Sequence, residues 1–430
     1  MSSISEKYDC LGGEDRPLIS VIMANYRSAP YLRDAIRSVL LQSVKNIEVI
    51  VSDDASPDNS VEIIEDIMRH DSRVKLLKSD RNFGPARARN RALSVARGHW
   101  IAVVDSDDLL HPKRFEWLLA AATHYDANIV ADDLLHFSNE TGYEVSYLLN
   151  DAIFSTPFEI TVADFIAANG GQMPAFGYLK PMFQASILQK IHYDESLKIG
   201  EDYDLALRLL FNGAKYMLIP QPFYLYRRHS NSISHRLSEA AVQAMIDSAL
   251  KLQERYGQLT PQVNEAFQAQ LTSLHKTLEF ERFVAAVRQR QIKLALDLAI
   301  NNPSYIKSLL VIIGRRVARR YNQLQEAVDK KKTKAAPGKL AIFLKDKSCG
   351  PQQITEAFSH SEQNALSMHV EEISTVKHPV DTWLENQDNN KAQWKRLATM
   401  AHNTQALIYG SDEAEFVSGF VPSKVEHIRL

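Results

Sequence analysis

Strand-like and helix-like segments alternate regularly between residues 18 and 108, and this alternation constrains the fold more than any other feature. The strand-like segments are short apolar runs rich in β-branched residues, whereas the segments between them carry apolar residues at helical spacing. Such a chain is expected to form a doubly wound α/β domain with a mainly parallel sheet, which binds ligands at the carboxyl ends of its strands. The predicted strands span 18–25, 47–54, 74–79 and 100–108, and the predicted helices span 29–42, 56–70 and 84–98.

The pattern changes beyond residue 237, which predicts further domains. Residues 238–325 show helical spacing throughout, with a break at Pro303, and KKKTKAAPGK is typical of a linker. After the linker, KLAIFLKD, LSMHVEEI, ALIYGSD and VEHIRL alternate with helix-like segments, which predicts a small α/β unit. The predicted divisions are a tail (1–16), an α/β domain (17–236), a helical region (237–329), a basic linker (330–339) and the small α/β unit (340–430).

The composition excludes several classes of protein. The chain has 430 residues, of which 45% are hydrophobic and 24% charged, and its 16 glycines and 16 prolines are too few for a collagen-like or disordered chain. Cys10 and Cys349 lie far apart, so neither a disulfide framework nor a cysteine zinc site is predicted. The first residues lack a basic start followed by an apolar stretch, so no signal peptide is predicted. We therefore expect a cytoplasmic protein.

Positive charge is concentrated in one part of the chain. Residues 281–340 contain 14 Lys and Arg but only 4 Asp and Glu, although the formal net charge of the whole chain is −2. Within this part, SYIKSLLVIIGRRVARR at 304–320 combines a short apolar stretch with four arginines. Such a segment can lie on the inner, anionic face of the plasma membrane, or it can pack its apolar side on the preceding domain. Nucleic-acid binding is not predicted, because no recognition motif accompanies the charge.

Polar clusters follow three of the predicted strands. Asn25 and Tyr26 follow the first strand, Asp53 and Asp54 follow the second, and DSDD at 105–108 follows the fourth. Any one cluster is compatible with a turn or a helix cap, but three clusters at neighbouring strand ends favour a binding site. In DSDD the first and third carboxylates can share one hard cation, and oxygen ligands of this type suit Mg²⁺ or Mn²⁺.

A basic segment, NFGPARARN, opens the third predicted helix and is the candidate partner for phosphate groups. Gly84 permits close approach of a ligand to the backbone, and the amino terminus of a helix favours anions. Arg89 and Asn90 are therefore candidate binding residues. For Arg91 and Arg97 a solvated helix face is the preferred interpretation.

Taken in order, these segments resemble glycosyltransferase family 2, whose members have a GT-A fold. The resemblance covers residues 17 to about 235 and rests on SVIMANYRSAPYLRDAIRSVLLQS, IEVIVSDDASPDNS, RNFGPARARNRAL, WIAVVDSDD and GEDYDLALRLL. It is strongest towards bacterial exopolysaccharide enzymes of the succinoglycan type. The chain departs from the common family pattern at Ala24, where Thr or Ser is frequent, and at Ala55, where Gly often follows the second acidic pair.

The resemblance implies an inverting, metal-dependent glycosyltransferase with a nucleotide-sugar donor, most often a UDP-sugar, and a saccharide or lipid-linked saccharide acceptor. It implies that Asp202 is the general base and that Asp107 binds Mn²⁺ or Mg²⁺, with His229 as a second ligand. The implied nucleotide-sugar site comprises Asn25, Tyr26, Asp53, Asp54, Gly84, Arg89, Asn90, Asp105 and Ser106.

Alternatives remain for individual residues and for the whole chain. Asp202 stands at the start of an amphipathic helix, where an acidic residue also complements the helix dipole, and His229 can equally be a surface histidine. A sugar nucleotidyltransferase would share the sheet and the acidic site, but ANYRSAPY after the first strand is not the glycine-rich loop such an enzyme needs. A non-catalytic nucleotide-sugar binder or scaffold is the other alternative. The sequence does not indicate an oligomeric state.

Overall fold

The computed structural model describes residues 16–137, 146–149, 156–168, 174–197, 199–229, 238–310, 314, 340–345, 367–372, 406–409 and 426–429. None of the helices in these ranges has both the length and the apolar character needed to cross a bilayer.

The first four strands form the parallel half of one large sheet, as the alternation predicts. They are β1 Ile19–Asn25, β2 Ile47–Asp53, β3 Val74–Lys78 and β4 Trp100–Val103, in the order β3-β2-β1-β4. The pairings among these four strands are all parallel, and β1 and β2 are buried along almost their whole length. Because Asn25 lies opposite Asp53 in the register, the polar clusters after β1 and β2 lie side by side.

The next strands of the sheet are β5 Leu109–Leu110, β6 Ile129–Phe137, β7 Ser146–Tyr147, β8 Phe158–Ile160, β9 Met182–Gln184 and β10 Tyr216–Arg227. On the other side of β4 the strand order is β4-β9-β6-β10-β5, and the pairings are mixed. Strand β9 is antiparallel to both β4 and β6, whereas β6 and β10 are parallel. A register shift between Ile219 and Tyr224 interrupts the β6–β10 pairing where β10 contains two prolines.

Within the described residues, six α-helices accompany these strands, and two of them start with a proline in the first turn. They are α1 Ala29–Leu40, α2 Ser60–His70, α3 Pro85–Leu93, α4 Arg114–Tyr125, α5 Val162–Ala168 and α6 Glu201–Phe211. Proline suits this position because the first helical N–H needs no partner within the helix.

Three predicted boundaries were wrong by four residues or more. The second helix, expected from residue 56, begins at Ser60. The helix expected over 84–98 ends at Leu93, because the N–H groups of Arg97 and Gly98 bind the Ser20 hydroxyl instead of continuing the helix. Gly98 itself passes so close to β1 that a Cβ atom would lie 2.3 Å from the Ser20 nitrogen. The strand expected over 100–108 ends at Val103, so DSDD lies in the turn between β4 and β5.

The helical region consists of α7 Glu239–Arg255, α8 Pro261–Arg288 and α9 Ile292–Asn301, and residues 304–310 are also helical. Short breaks at 256–260 and 289–291 separate these helices, in addition to the predicted break at Pro303. Residues 311–313 and 315–325 lie outside the described part. One hydrophobic core extends from Leu18 to Leu278, so α7 and most of α8 pack on the α/β domain.

The four strands predicted near the carboxyl end of the chain are confirmed. They are β11 Leu340–Lys345, β12 Ser367–Glu372, β13 Ala406–Tyr409 and β14 Glu426–Arg429. They form a second sheet in the order β12-β11-β13-β14, in which every pairing is parallel. The helices predicted between them lie outside the described residues.

Candidate active site

The ends of β1 and β2 form one side of the site. The Asn25 amide donates to Asp53 Oδ1 over 2.7 Å, and the other Asp53 oxygen accepts from the Ser56 N–H at 2.9 Å. These contacts fix the turn after β2, in which Ala55 adopts a left-handed conformation with φ of 60°. Asn25 Oδ1 is buried and has no hydrogen-bond partner within the described part of the chain.

Asp54 connects this edge of the sheet to the loop that leads into α3. Its Oδ2 accepts from the N–H groups of Phe83 and Gly84 at 2.9 and 2.7 Å. Gly84 has φ of 99°, which L-residues rarely adopt, and this conformation lets the loop turn towards the carboxylate. Asp54 Oδ1 is buried and, like Asn25 Oδ1, lacks a partner among the residues described.

An open groove of about 800 Å³ lies between the segment that follows β3 and α3. Its lining includes Arg81 and Arg87, whose guanidinium groups lie 4.4 and 3.7 Å from the centre of the Phe83 ring. The groove does not extend to Asp105 or Asp202. It is therefore distinct from the acidic part of the site.

Arg89 extends from α3 into a buried cluster of carboxylates. Its guanidinium donates to Asp105 Oδ1 at 2.9 Å and to Glu201 Oε1 at 2.6 Å, and it lies 3.3 Å from Asp202 Oδ1. One cation thus joins the turn after β4 to the amino terminus of α6. The sequence predicted Arg89, Asp105 and Asp202 as site residues separately, and the structure brings all three together.

Lys180, which the sequence analysis did not identify, provides a second bridge between the same two aspartates. Its Nζ lies 2.9 Å from Asp105 Oδ2 and 3.0 Å from Asp202 Oδ2. Arg89, Asp105, Lys180 and Asp202 therefore form a closed set of alternating charges, here called the charge ring. A sequence signal was present, because a lysine in the otherwise apolar segment FGYLKPMF is stable in a buried position only when paired.

The main chain of Lys180 is fixed by a buried ion pair behind it. Arg114 donates to the Lys180 carbonyl at 2.5 Å and to Asp132 Oδ1 at 2.7 Å, and the side chains of Arg114 and Asp132 are fully buried. The next carbonyl, that of Pro181, accepts from the Val103 N–H at the end of β4. These contacts hold Lys180 beside the turn that carries Asp105.

The charges of this cluster shift the pKa values of Asp105, Lys180 and the adjacent Glu201. Burial raises the pKa of Asp105, but the positive charges of Lys180 and Arg89 outweigh it and lower that pKa to about 2. Burial lowers the pKa of Lys180, but the negative charges of Asp105 and Asp202 outweigh burial and raise that pKa well above the ordinary value. For Glu201, burial and the neighbouring Asp202 raise the pKa, against the effect of Arg89. Asp105 and Lys180 are therefore charged at neutral pH.

Asp107 and His229 meet at the opposite end of the DSDD turn. His229 Nε2 lies 2.8 Å from Asp107 Oδ2, and the imidazole packs on the Tyr31 ring with a centroid distance of 4.9 Å. His229 follows β10 and is buried, so the interpretation as an ordinary surface histidine is wrong. The two residues that the family resemblance assigns to a metal ion are thus in direct contact.

Asp108 anchors the turn to β10. Its two oxygens accept from the Tyr224 hydroxyl at 2.8 Å and the Arg227 N–H at 2.7 Å. Burial and the nearby charges of Asp107 and Asp105 raise the pKa of Asp108 well above its ordinary value. The carboxylates of all three aspartates offer oxygens within 4.8 Å of one another, but Asp108 is fully buried, whereas the side chains of Asp107 and Asp105 are 28% and 24% exposed. Asp107 and Asp105 are therefore the better candidates for cation ligands.

Two of the predicted binding residues make contacts within the protein. The Asn90 amide donates to the Tyr193 carbonyl and to Glu195 Oε1, and its oxygen accepts from the Tyr193 N–H, each at 3.0 Å. Ser106 donates to the Ser28 hydroxyl at 2.8 Å and is buried. The contacts of Asn90 hold α3 against the segment before α6. The contact of Ser106 holds the DSDD turn against the start of α1.

Tyr26 and Arg91 border the carboxyl ends of β1 and β2. Tyr26 is half-buried, and the Arg27 guanidinium lies 5.2 Å from its ring centre. Arg91 donates to the Ser52 hydroxyl at 2.9 Å and to the Asp53 carbonyl at 2.7 Å. The interpretation of Arg91 as part of a solvated helix face was therefore wrong, whereas Arg97 is exposed.

Comparisons with known proteins agree with this fold. The family described as Glycosyl transferase family 2 matches residues 20–178. The succinoglycan biosynthesis protein ExoO of Rhizobium meliloti is 32% identical over 307 residues, which cover 70% of this chain and 87% of ExoO. ExoU of the same organism is 27% identical over 300 residues, covering 68% of this chain and 85% of ExoU.

Among solved structures, residues 1–349 of TarS from S. aureus in complex with UDP-GlcNAc match with a TM-score of 0.51 at 20% identity. This match covers 65% of the present chain and 79% of the TarS chain, and it shows a GT-A fold. The extent of the likeness to ExoO, together with the family match over the first strands of the sheet, shows that this chain is an enzyme and a member of glycosyltransferase family 2.

Proposed function

We propose that this enzyme transfers a sugar from a UDP-sugar to a saccharide or lipid-linked saccharide acceptor, with inversion at the anomeric carbon, in exopolysaccharide assembly. The observation that carries the proposal is the charge ring, which joins the implied base Asp202 to Asp105 at the strand end where a doubly wound sheet binds its ligand. The names of ExoO and ExoU support the pathway, and the UDP-GlcNAc bound to TarS supports the donor class.

The nucleoside subsite is assigned to the ends of β1 and β2. Asn25 Oδ1 and Asp54 Oδ1 are buried acceptors without partners among the described residues, and such atoms are costly unless a ligand donates to them. A uracil ring offers one imide N–H for this purpose. The half-buried Tyr26 supplies an aromatic face beside them. Asp53 orients the Asn25 amide, and Gly84 lets the loop approach.

Asp107 and His229 fit a divalent cation. A carboxylate and an imidazole in contact suit Mn²⁺, and the neighbouring carboxylate of Asp105 adds an oxygen of the kind that Mn²⁺ and Mg²⁺ prefer. When bound, the ion would offset the negative charge that develops on the departing diphosphate. Tyr224 and Arg227 keep the turn that carries these ligands in place, through Asp108.

Asp202 is assigned as the general base. Its side chain is 17% exposed, so an acceptor can reach it, while Arg89 and Lys180 fix both of its oxygens. A carboxylate oxygen carries two lone pairs and can accept a hydroxyl proton while paired. As the acceptor oxygen bonds to the anomeric carbon, its proton passes to Asp202 and the bond to the diphosphate oxygen breaks. Attack from the face opposite the diphosphate inverts the anomeric centre.

Two variants test these assignments on a panel of UDP-sugars and saccharide acceptors. Asp202→Asn should lower kcat by about 10²- to 10⁴-fold and leave UDP affinity nearly unchanged, because the base acts only during transfer. Asp107→Ala should abolish the response of UDP binding to Mn²⁺. The matched control is Asp247→Asn on the exposed face of α7. Full transfer by Asp202→Asn would remove the assigned base, and an unchanged Mn²⁺ response in Asp107→Ala would remove the assigned ligand.

A further inference from the structure

Exposed apolar side chains are concentrated at the far end of the helical region. Eleven large hydrophobic residues are exposed among those described, and seven of them lie in the short stretch that ends α8 and continues through residue 310. Scattered exposed apolar residues are normal, whereas a concentrated patch marks an interaction site. The seven residues are Val287, Ile292, Leu294, Leu296, Ile300, Ile306 and Leu310.

Helix α9 is apolar on two sides, and only one of them is packed. Ala295, Leu298 and Ala299 contact a small cluster built around Phe283 and Tyr305. The neighbouring side, about 100° around the helix axis, is a stripe at positions i, i+4 and i+8. It is formed by Ile292, Leu296 and Ile300, which are 70%, 56% and 73% exposed. Core packing accounts for the first side but not for the stripe. An exposed apolar stripe on a ten-residue helix is typical of a surface that another molecule or segment covers, and none of the described residues covers it.

The charge around this stripe is almost entirely positive. Arg288, Arg290, Lys293 and Lys307 are all exposed, and Asp297 is the acidic residue of the same stretch. In the sequence, VIIGRRVARR follows directly and adds four arginines. Apolar side chains surrounded by Lys and Arg are the pattern of a helix that lies in the headgroup region of an anionic bilayer.

We propose that the surface formed by the exposed side chains from Val287 to Leu310, here called the apolar–basic surface, docks on an anionic lipid bilayer. Charge complementarity selects this occupant: a lipid surface with acidic headgroups matches both the apolar stripe and the surrounding cations. In this proposal the surface lies in the plane of the bilayer, with the apolar stripe at the depth of the headgroups. This inference goes beyond the proposed transfer reaction, because it concerns where the enzyme binds, and lipid binding is measured without any turnover.

The test is co-sedimentation of the full chain with vesicles of phosphatidylcholine, with or without 30% phosphatidylglycerol, at several salt concentrations. Wild-type protein should pellet with the anionic vesicles, and its affinity should fall as salt rises. The triple variant Ile292→Ser, Leu296→Ser and Ile300→Ser should bind at least about a hundredfold more weakly, since each residue loses apolar burial. The double variant Lys293→Gln and Lys307→Gln should bind about thirtyfold more weakly, or about fivefold per charge.

The matched control replaces two exposed apolar residues of the α/β domain, as Met68→Ser and Val95→Ser, which are 39% and 42% exposed. This control should bind vesicles as the wild type does. Circular dichroism should show that all three variants are folded, because every substituted side chain is exposed. Absence of wild-type binding to anionic vesicles, or equal binding by the triple variant, would overturn the proposal. If the wild type were a dimer that does not bind vesicles, and the triple variant were a monomer, the surface would instead be assigned to contact with a second copy of this chain.

Discussion

Replacement of Lys180 by methionine removes one cation from the charge ring while keeping most of the aliphatic stem. The ammonium contacts Asp105 and Asp202 at 2.9 and 3.0 Å, and the Lys180 side chain is only 8% exposed. Without it, three carboxylates, those of Asp105, Glu201 and Asp202, surround the single guanidinium of Arg89. Loss of one partner from a buried pair costs about 3–5 kcal/mol. Because the two aspartates keep some contact with water, we expect about 3 kcal/mol for Lys180→Met.

A double-mutant cycle with Asp202→Asn separates this electrostatic effect from a general loss of packing. The double variant lacks the Asp202 charge as well as the Lys180 charge, so no carboxylate is left in excess at this position. Its free energy of unfolding should therefore be higher than the value expected from adding the losses of the two single variants. The coupling should be about 1–3 kcal/mol, measured by urea unfolding. Lys215→Met is the control, because Lys215 lies 3.9 Å from Glu159 in an exposed pair and its loss should cost less than about 0.5 kcal/mol.

Kinetics supply the second half of the same test. Lys180→Met should lower kcat by about 10²-fold, because Asp202 is no longer held, while Lys180→Arg should restore part of the rate by restoring the charge. Additive effects of Lys180→Met and Asp202→Asn on stability would refute the idea that the ring acts as a unit. A Lys180→Met variant as stable as Lys215→Met would refute the burial argument itself.

Three further predictions concern the scaffold that supports the site. Ala55→Gly should stabilise the protein by about 1 kcal/mol, because φ of 60° is strained for alanine and not for glycine, and a lower melting temperature would contradict this. Gly98→Ala should destabilise it by more than about 2 kcal/mol, because the new methyl group would meet the Ser20 nitrogen, and near-wild-type stability in urea would show that β1 can shift. Burial raises the pKa of Glu48, but hydrogen bonds from Lys75 and Ser20 lower it below 4.5 overall. The contribution of Glu48 is therefore present above pH 4.5 and is lost as the pH falls through its lowered pKa. The stability gap between wild type and Glu48→Gln should be widest near pH 7 and should close in acid, and a gap independent of pH would contradict the assignment.

Local patterns predicted much of the fold and part of the site. The first four strands, their order along the chain and the polar residues at their ends follow from apolar runs and turn residues. For the same reason the sequence predicted that Asn25, Asp53 and Asp54 lie close together, since adjacent parallel strands place their ends side by side. The strands β11 to β14 were also predicted from short apolar runs.

What the sequence did not predict depends on contacts between distant segments. Lys180 stands in a segment without a motif, and its role arises only because Arg114 and Asp132 fix its backbone beside Asp105. The strand expected over 100–108 stops early because Asp108 is bonded to residues of β10, more than a hundred positions away along the chain. Such long-range contacts determine the geometry of the site, but they produce no periodic pattern in the sequence.

The most direct test of the central claim is a calorimetric titration of UDP, with and without Mn²⁺. If the ends of β1 and β2 bind the nucleoside and Asp107 holds the ion, UDP should bind, and more tightly with Mn²⁺ than without it. Asn25→Ala should weaken binding in both conditions, whereas Asp107→Ala should remove only the Mn²⁺ effect. Absence of binding by UDP, GDP and dTDP in either condition would contradict the assignment of a nucleotide-sugar site at this edge of the sheet.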